Sequence, residues 1–209
     1  MRYIPLVLLT ALAAGCTHNT GTTVSRYHED GRAKPFVAIA PMIDTTSFDA
    51  SWSLSDELTS LIVQRVGQSG EIFVQSADTS AFAENPFSGD LSWMKREFEG
   101  KEFAVFLELV QHESVPAAQD KRPQEVSSNL NMAVRMRVID LRGAKPQIVL
   151  QEMVKENYFV PRSLLATDYT QILWGSEEYE KSPMSVAHAQ LVQEISHRIS
   201  DYILLAKSR

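Results

Sequence analysis

The chain contains one cysteine, and its setting is informative. Cys16 follows the small residues Ala13-Ala14-Gly15. A thiolate is a strong nucleophile, so the chemistry open to this position is covalent modification. Being alone, Cys16 makes no internal disulfide and no multi-cysteine zinc or iron–sulfur site. The other residues equipped for chemistry are scattered. Ser92-Trp93-Met94-Lys95 places a lysine one helical turn behind a serine, a spacing from which the amine can take the hydroxyl proton. The S-D-N and K-T-G elements that complete such a site are missing from the sequence, so no nucleophile is assigned there. His112-Glu113 closes a strand beside a Pro-rich loop, and without a Ser, Cys or Asp constellation His112 reads as a solvated or structural histidine. His188 and His197 stand nine positions apart on one helix, and nine steps of about 100° place them on opposite faces, where they cannot share a metal. Glu177-Glu178 fall in a charged run expected to be a solvated face. His18 and His28 lie in a polar stretch without convergent ligands. The sequence therefore nominates no catalytic residue, no metal ligand and no cofactor.

Composition agrees with a folded, acidic protein. The 209 residues are 44% hydrophobic and 22% charged, the balance of an ordinary packed domain. The formal charge of −6 and the pI near 5.4 argue against nucleic-acid binding, which calls for clustered basic residues. Phosphate-loop, dinucleotide, metalloprotease and serine-hydrolase signatures are all absent from the sequence.

The first fifteen residues read as a secretory leader. Arg2 supplies the positive start, and Ile4 to Ala14 form an apolar run of roughly 16 Å as a helix, short of the ~30 Å needed to span a bilayer. Leu12-Ala13-Ala14-Gly15-Cys16 resembles the lipobox of bacterial lipoproteins, with Ala13 where Leu is commonest. The resemblance implies cleavage between Gly15 and Cys16, a diacylglycerol on the Cys16 thiol, and a fatty acyl group such as palmitate on the new amine. With more than one chain buried, such an anchor is effectively stable. Thr17 follows the cysteine in place of the Asp that retains enterobacterial lipoproteins in the inner membrane. By the same resemblance the protein sits in the outer membrane, on its periplasmic face.

Behind the anchor, residues 16–35 are polar and broken by Gly21, Gly31 and Pro35, the composition of a flexible tether. A single domain is expected over 36–209. Phe36 to Ala40 is an apolar run that reads as a buried strand, followed by a polar loop at Asp44-Thr45-Thr46-Ser47. Leu54, Leu58, Leu61, Ile62 and Val66 predict a helix, with Ser53 or Ser55 as its cap, Asp56-Glu57 in its positive first turn and Gly70 as its stop. Ile72-Phe73-Val74 reads as a second, parallel strand, Leu91 to Phe98 as a short helix, and Phe103 to Val110 as a third strand. Leu130, Met132, Val134, Met136 and Val138 alternate with Asn129, Asn131, Ala133, Arg135 and Arg137, which predicts a strand with one core face and one wet face. Ile148 to Val160 runs back as a strand whose pattern is blurred by Glu152 and Glu156, implying a bulge or an edge. Pro183 opens a last helix to about Leu205. The fold class is α/β in the α+β sense: a mixed sheet of about five strands with two or three helices, ordered β-α-β-(α)-β-β-β-α in a layered sandwich.

Val37 to Thr46, Leu54 to Leu58 and Gln68 to Val74 together resemble the opening of a group of envelope lipoproteins that includes the penicillin-binding-protein activator and the curli-secretion lipoprotein. The likeness implies a layered α/β fold and a non-enzymatic role in envelope assembly or peptidoglycan-synthase activation, with a periplasmic or outer-membrane protein as partner. Two alternatives stay open. In a subunit of an outer-membrane secretion pore, the two long strands would form a membrane hairpin. In a periplasmic hydrolase, the active site would lack a sequence signature. Tyr158, Tyr169 and Trp174 sit in and beyond a strand expected at a sheet edge, in a stretch without clean period. They are the candidate partner surface, since Tyr and Trp dominate binding hot spots; the alternative is that Leu164, Leu165, Ile172, Leu173 and Trp174 cover the open end of the sheet.

Overall fold

The computed structural model describes residues 25–77, 84–117, 127–161 and 167–209. Cys16 and the whole leader lie outside them, as do Leu164 and Leu165. Ten elements follow in order: β1 (Phe36–Ile39), β2 (Ile43–Asp44), α1 (Leu54–Gln68), β3 (Phe73–Ser76), α2 (Met94–Glu97), β4 (Phe103–Pro116), β5 (Ser128–Asp140), β6 (Gln147–Val160), α3 (Glu177–Glu180) and α4 (Pro183–Lys207). The six strands form one mixed sheet in the order β3-β1-β4-β5-β6, with β2 pairing β4 beyond the end of β1. The β1 pairs with β3 and β4 and the β2–β4 pair are parallel, whereas β4–β5 and β5–β6 are antiparallel. This is the expected α+β class.

Local chemistry explains the elements. Ser53 caps α1 by accepting the Asp56 N–H at 3.1 Å, and Gly70 leaves the helix at a φ of +73°, a conformation that favours glycine. Ser182 caps α4 in the same way for Ser185, with Pro183 in the first turn, where its missing N–H costs nothing. Pro41 interrupts the first strand, and the chain rejoins β4 as β2, which extends the sheet into the stretch expected to be a polar loop. The buried Met42 N–H donates to Thr59 Oγ1 at 2.9 Å.

Helices α1 and α4 cover one face of the sheet. The main core lies between them, with Leu58, Ile62, Leu191, Ile195 and Ile199 against Val37, Phe103, Leu107, Val134 and Met136. The apolar face of the β5–β6 hairpin is thus buried by helix and is not presented to lipid. Among the described residues, no helix is long and apolar enough to cross a membrane. A second, smaller core on the opposite face joins Ala38, Ala104, Phe106 and Ile139 to Trp93, Met94 and Phe98.

That second core corrects one expectation. Arg137 does lie on the face opposite Met136 and Val138, but it is buried, not wet. Its guanidinium donates to the carbonyls of Pro86, Phe87 and Ser88 at 2.9, 3.0 and 2.7 Å and to Gln151 Oε1 at 2.8 Å. The planar fork clamps a loop over the sheet, which supplies the hydrogen bonds a buried cation requires.

Two bulges shape the long strands. On β4 an extra residue, Val110, falls between Leu109 opposite Val134 and Gln111 opposite Ala133, and pairing continues to Pro116, past the expected end of the strand. On β6, Val149 is extra between Ile148 and Leu150, and β6 is the sheet edge, so both explanations offered for its blurred pattern hold. Residues 25–35, expected to belong to the tether, carry an antiparallel bridge from Tyr27 to Ala33, and Arg26 lies over the Phe36 ring at 4.5 Å.

Candidate functional site

The Val110 bulge decides where the chemistry lies. Leu109 faces the helices, and strict alternation would send His112 to the opposite face. The extra residue flips it, so His112 pairs with Met132 and points into the helix-covered core, buried to 5% exposure. There it meets His188 of α4, Nε2 to Nε2 at 2.9 Å. His188 Nδ1 is 2.6 Å from Glu57 Oε1 on the first turn of α1, and both side chains are fully buried. The same carboxylate accepts the Tyr179 hydroxyl of α3 at Oε1 and the Trp52 indole N–H at Oε2, the latter at 2.6 Å. Phe48 caps His112 with ring centroids 4.5 Å apart, and Trp52 packs edge-on to Tyr179 at 5.3 Å.

Proton positions follow from this network. Burial pushes the Glu57 carboxyl upward, but the hydrogen bond and charge of His188, with the Tyr179 and Trp52 donors, outweigh it and hold the group below its ordinary range. Glu57 is therefore a carboxylate and only accepts, so His188 Nδ1 carries a hydrogen. When both rings are neutral, His188 presents a bare Nε2 lone pair and His112 donates through its own Nε2–H. This leaves His112 Nδ1 as a buried acceptor, and it has no hydrogen-bond partner among the described residues. Burial, reinforced by the charge of His188, lowers His112 to a pKa of about 3, although Glu57 pulls the other way. Tyr179 is pushed well above its usual value by burial and by the Glu57 charge.

Carboxylate, histidine, histidine and tyrosine in series resemble the proton-transfer half of a hydrolytic site, yet the chain is sealed within the core. The imidazoles and the carboxylate spend their facing atoms on one another. Among the described residues, no three His, Cys, Asp or Glu side chains converge on a point where a metal could sit.

The residues singled out from sequence fall in different places. Lys95 turns away from Ser92 and donates to the Gly143 carbonyl at 2.5 Å, so the Ser92-x-x-Lys95 spacing makes no dyad. His197 pairs with Asp201 on the exposed face of α4. Glu177 and Glu178 are exposed. Tyr169 is half-buried against Phe48 and Trp52. Trp174 is 39% exposed beside Leu173 at 67%, and with Arg65, Tyr179, Glu180 and Val192 it lines a cavity of about 230 Å³ between α1 and α4. Tyr158 lies apart, on the helix face of β6 opposite Leu130, partly buried against the main core. Sequence reading missed Glu57, Trp52 and Tyr179 as one cluster. The available signal was stripe position: Glu57 lies between Leu54 and Leu61, and His188 sits four residues before Val192, both on inward arcs where an ion or imidazole needs a partner.

A model of one protein family matches residues 23–207. The chain belongs to this family of unknown function, DUF7499. A search of curated proteins found no match. Among solved structures, the chain is similar to the hypothetical protein CT253 from Chlamydia trachomatis, with 23% identity and a TM-score of 0.64 over 82% of this chain and 98% of that one. It is also similar to XCC0632 from Xanthomonas campestris, of family DUF330, with 10% identity and a TM-score of 0.50 over 84% and 87% of the two chains. Lipoprotein GNA1162 from Neisseria meningitidis aligns with 8% identity and a TM-score of 0.43 over 80% and 99%. CT253 and XCC0632 share the fold with this family member.

Proposed function

We propose that this protein is a lipid-anchored envelope protein that acts by presenting its α+β domain to a protein partner, without catalysis of its own. The observation that carries the reading is the sealing of the Glu57–His188–His112 chain. Among the described residues, the group of side chains arranged for proton transfer has both Glu57 and His188 at 0% exposure, so it serves to hold elements together and meets no substrate. The leader supplies the address. Its resemblance to a lipobox at Cys16, with Thr17 behind it, favours the outer membrane and its periplasmic face. The likeness of residues 37–74 to the penicillin-binding-protein activator group favours a peptidoglycan synthase or an envelope assembly as partner. The exposed Leu173-Trp174 pair beside the α1–α4 cavity is the surface on offer, with Tyr169 five residues earlier packed on Trp52.

Fractionation and crosslinking in cells test this reading. Cys16→Ser should move the protein from the membrane pellet to the soluble periplasmic extract. A photo-crosslinking amino acid at position 173 should capture a discrete envelope protein, which mass spectrometry then names. Retention of Cys16→Ser in the membrane at wild-type levels refutes the anchor, and a crosslinking pattern no different from that of a probe at exposed Lys155 refutes the surface.

A further inference from the structure

The His112–His188 contact is unusual in joining two like atoms. Nε2 faces Nε2 at 2.9 Å, an arrangement that holds only while one of the two is a bare lone pair. A single hydrogen between them satisfies both rings. One added proton can still be carried, by a His188 imidazolium that donates to His112 once the His112 hydrogen stands on Nδ1; with both rings cationic the contact becomes two N–H groups aimed at each other, and two positive charges sealed in the core have a single carboxylate, Glu57, to offset them. Among the described residues, the ionisable groups facing the pair are few. Glu57 comes from α1 and Tyr179 from α3, Tyr169 stands behind Tyr179, and on the hairpin the neighbour of His112 is Met132, with Glu156 beyond it on β6.

What the pair holds shut can be traced through contacts. His188 and Glu57 fix Tyr179 and Trp52, and Trp52 packs on Tyr169. Ser51 binds the same segment twice, donating its N–H to the Tyr169 carbonyl at 3.1 Å and its hydroxyl to that of Ile172, two residues before Trp174. We infer that the histidine pair is an acid latch: with one shared hydrogen it closes the seam between β4 and α4, and protonation of both rings opens that seam and frees the Trp52–Tyr169–Trp174 segment while the sheet stays folded. Opening returns His112 to water and to its ordinary affinity for protons, so each pH unit below about 6.5 favours the open form by up to tenfold. Its use as a control on partner capture rests on the reading of this segment as the partner surface. The latch itself does not, and it can be tested on the purified protein alone.

The three tryptophans make the test direct. In full-length protein labelled with 5-fluorotryptophan, Trp52 reports the latch, and Trp93, in the second core on the other face of the sheet, reports global folding. On acidification from pH 7.5 the ¹⁹F resonance of Trp52 should move at a pH where that of Trp93 is unchanged. His112→Gln keeps a neutral N–H donor for His188 and should lower the Trp52 midpoint by about one pH unit or more. Should that variant not fold, His112→Leu is expected to give the same shift. Movement of Trp52 and Trp93 together at one midpoint overturns the latch, as does a wild-type midpoint in the folded His112 variant. A latch that passes this test while crosslinking at position 173 fails at every pH would leave the device standing and remove the partner surface.

Discussion

Replacing Glu57 by Gln changes one buried oxygen for an NH₂ group and is the most informative single perturbation of this fold. The carboxylate accepts from His188 of α4, Tyr179 of α3 and Trp52 just ahead of α1. A glutamine offers one acceptor oxygen and turns a donor toward at least one existing donor. Hydrogen bonds to a charged group contribute about 1.5–3 kcal/mol each, and removing one member of a buried ionic set costs about 3–5 kcal/mol. We therefore expect Glu57→Gln to lose about 3–5 kcal/mol at pH 7.5, which for a domain of this size lowers the melting temperature by roughly 6–20 °C. Urea unfolding followed by circular dichroism, with unchanged slope, measures the loss directly. A loss below about 1 kcal/mol would show that the carboxyl is already protonated in the native state, and the hydrogen assignments along Glu57, His188 and His112 would then fall together.

Three further outcomes follow from the same contacts. Stability should decline on acidification: His112 binds its proton only near pH 3 when folded and near 6.5 when unfolded, so the unfolded chain holds more protons between those values. The contribution is complete above pH 6.5, is reduced by about 2 kcal/mol at pH 5, and is joined by Glu57 with the same sign at lower pH; a flat urea midpoint from pH 7.5 to 5 contradicts this. Arg137→Lys keeps the charge but cannot span the Pro86, Phe87 and Ser88 carbonyls, so it should cost about 2–3 kcal/mol and expose residues 84–91 to limited proteolysis, and a loop as resistant as the wild type refutes the clamp. Trp174→Ala, at a partly exposed position, should cost no more than about 1 kcal/mol while abolishing capture at position 173, and a loss of several kcal/mol would make Trp174 a core residue.

The elements were legible because each rests on local chemistry. The apolar run of β1, the alternation of β5, the Ser53 cap and Pro183 at the start of α4 need no tertiary information. The extent of β4 was not legible, since Val110 breaks the alternation that marks a strand and only pairing with β5 shows that the strand continues. The same residue hid the candidate site. Without the bulge, His112 belongs on the face opposite Leu109, and nothing in the sequence brings it to His188, 76 positions away. Glu57 was concealed differently, because an acidic residue in a first helical turn already has an explanation in the helix dipole. Its inward position became meaningful only once α4 was known to cross that end of α1. Arg137 shows the limit from the other side. Its face was read correctly, but its burial depends on a loop that docks from 49 to 51 residues earlier in the chain. Period fixes which way a side chain points, and what stands in front of it is set by chain segments whose approach leaves no periodic trace.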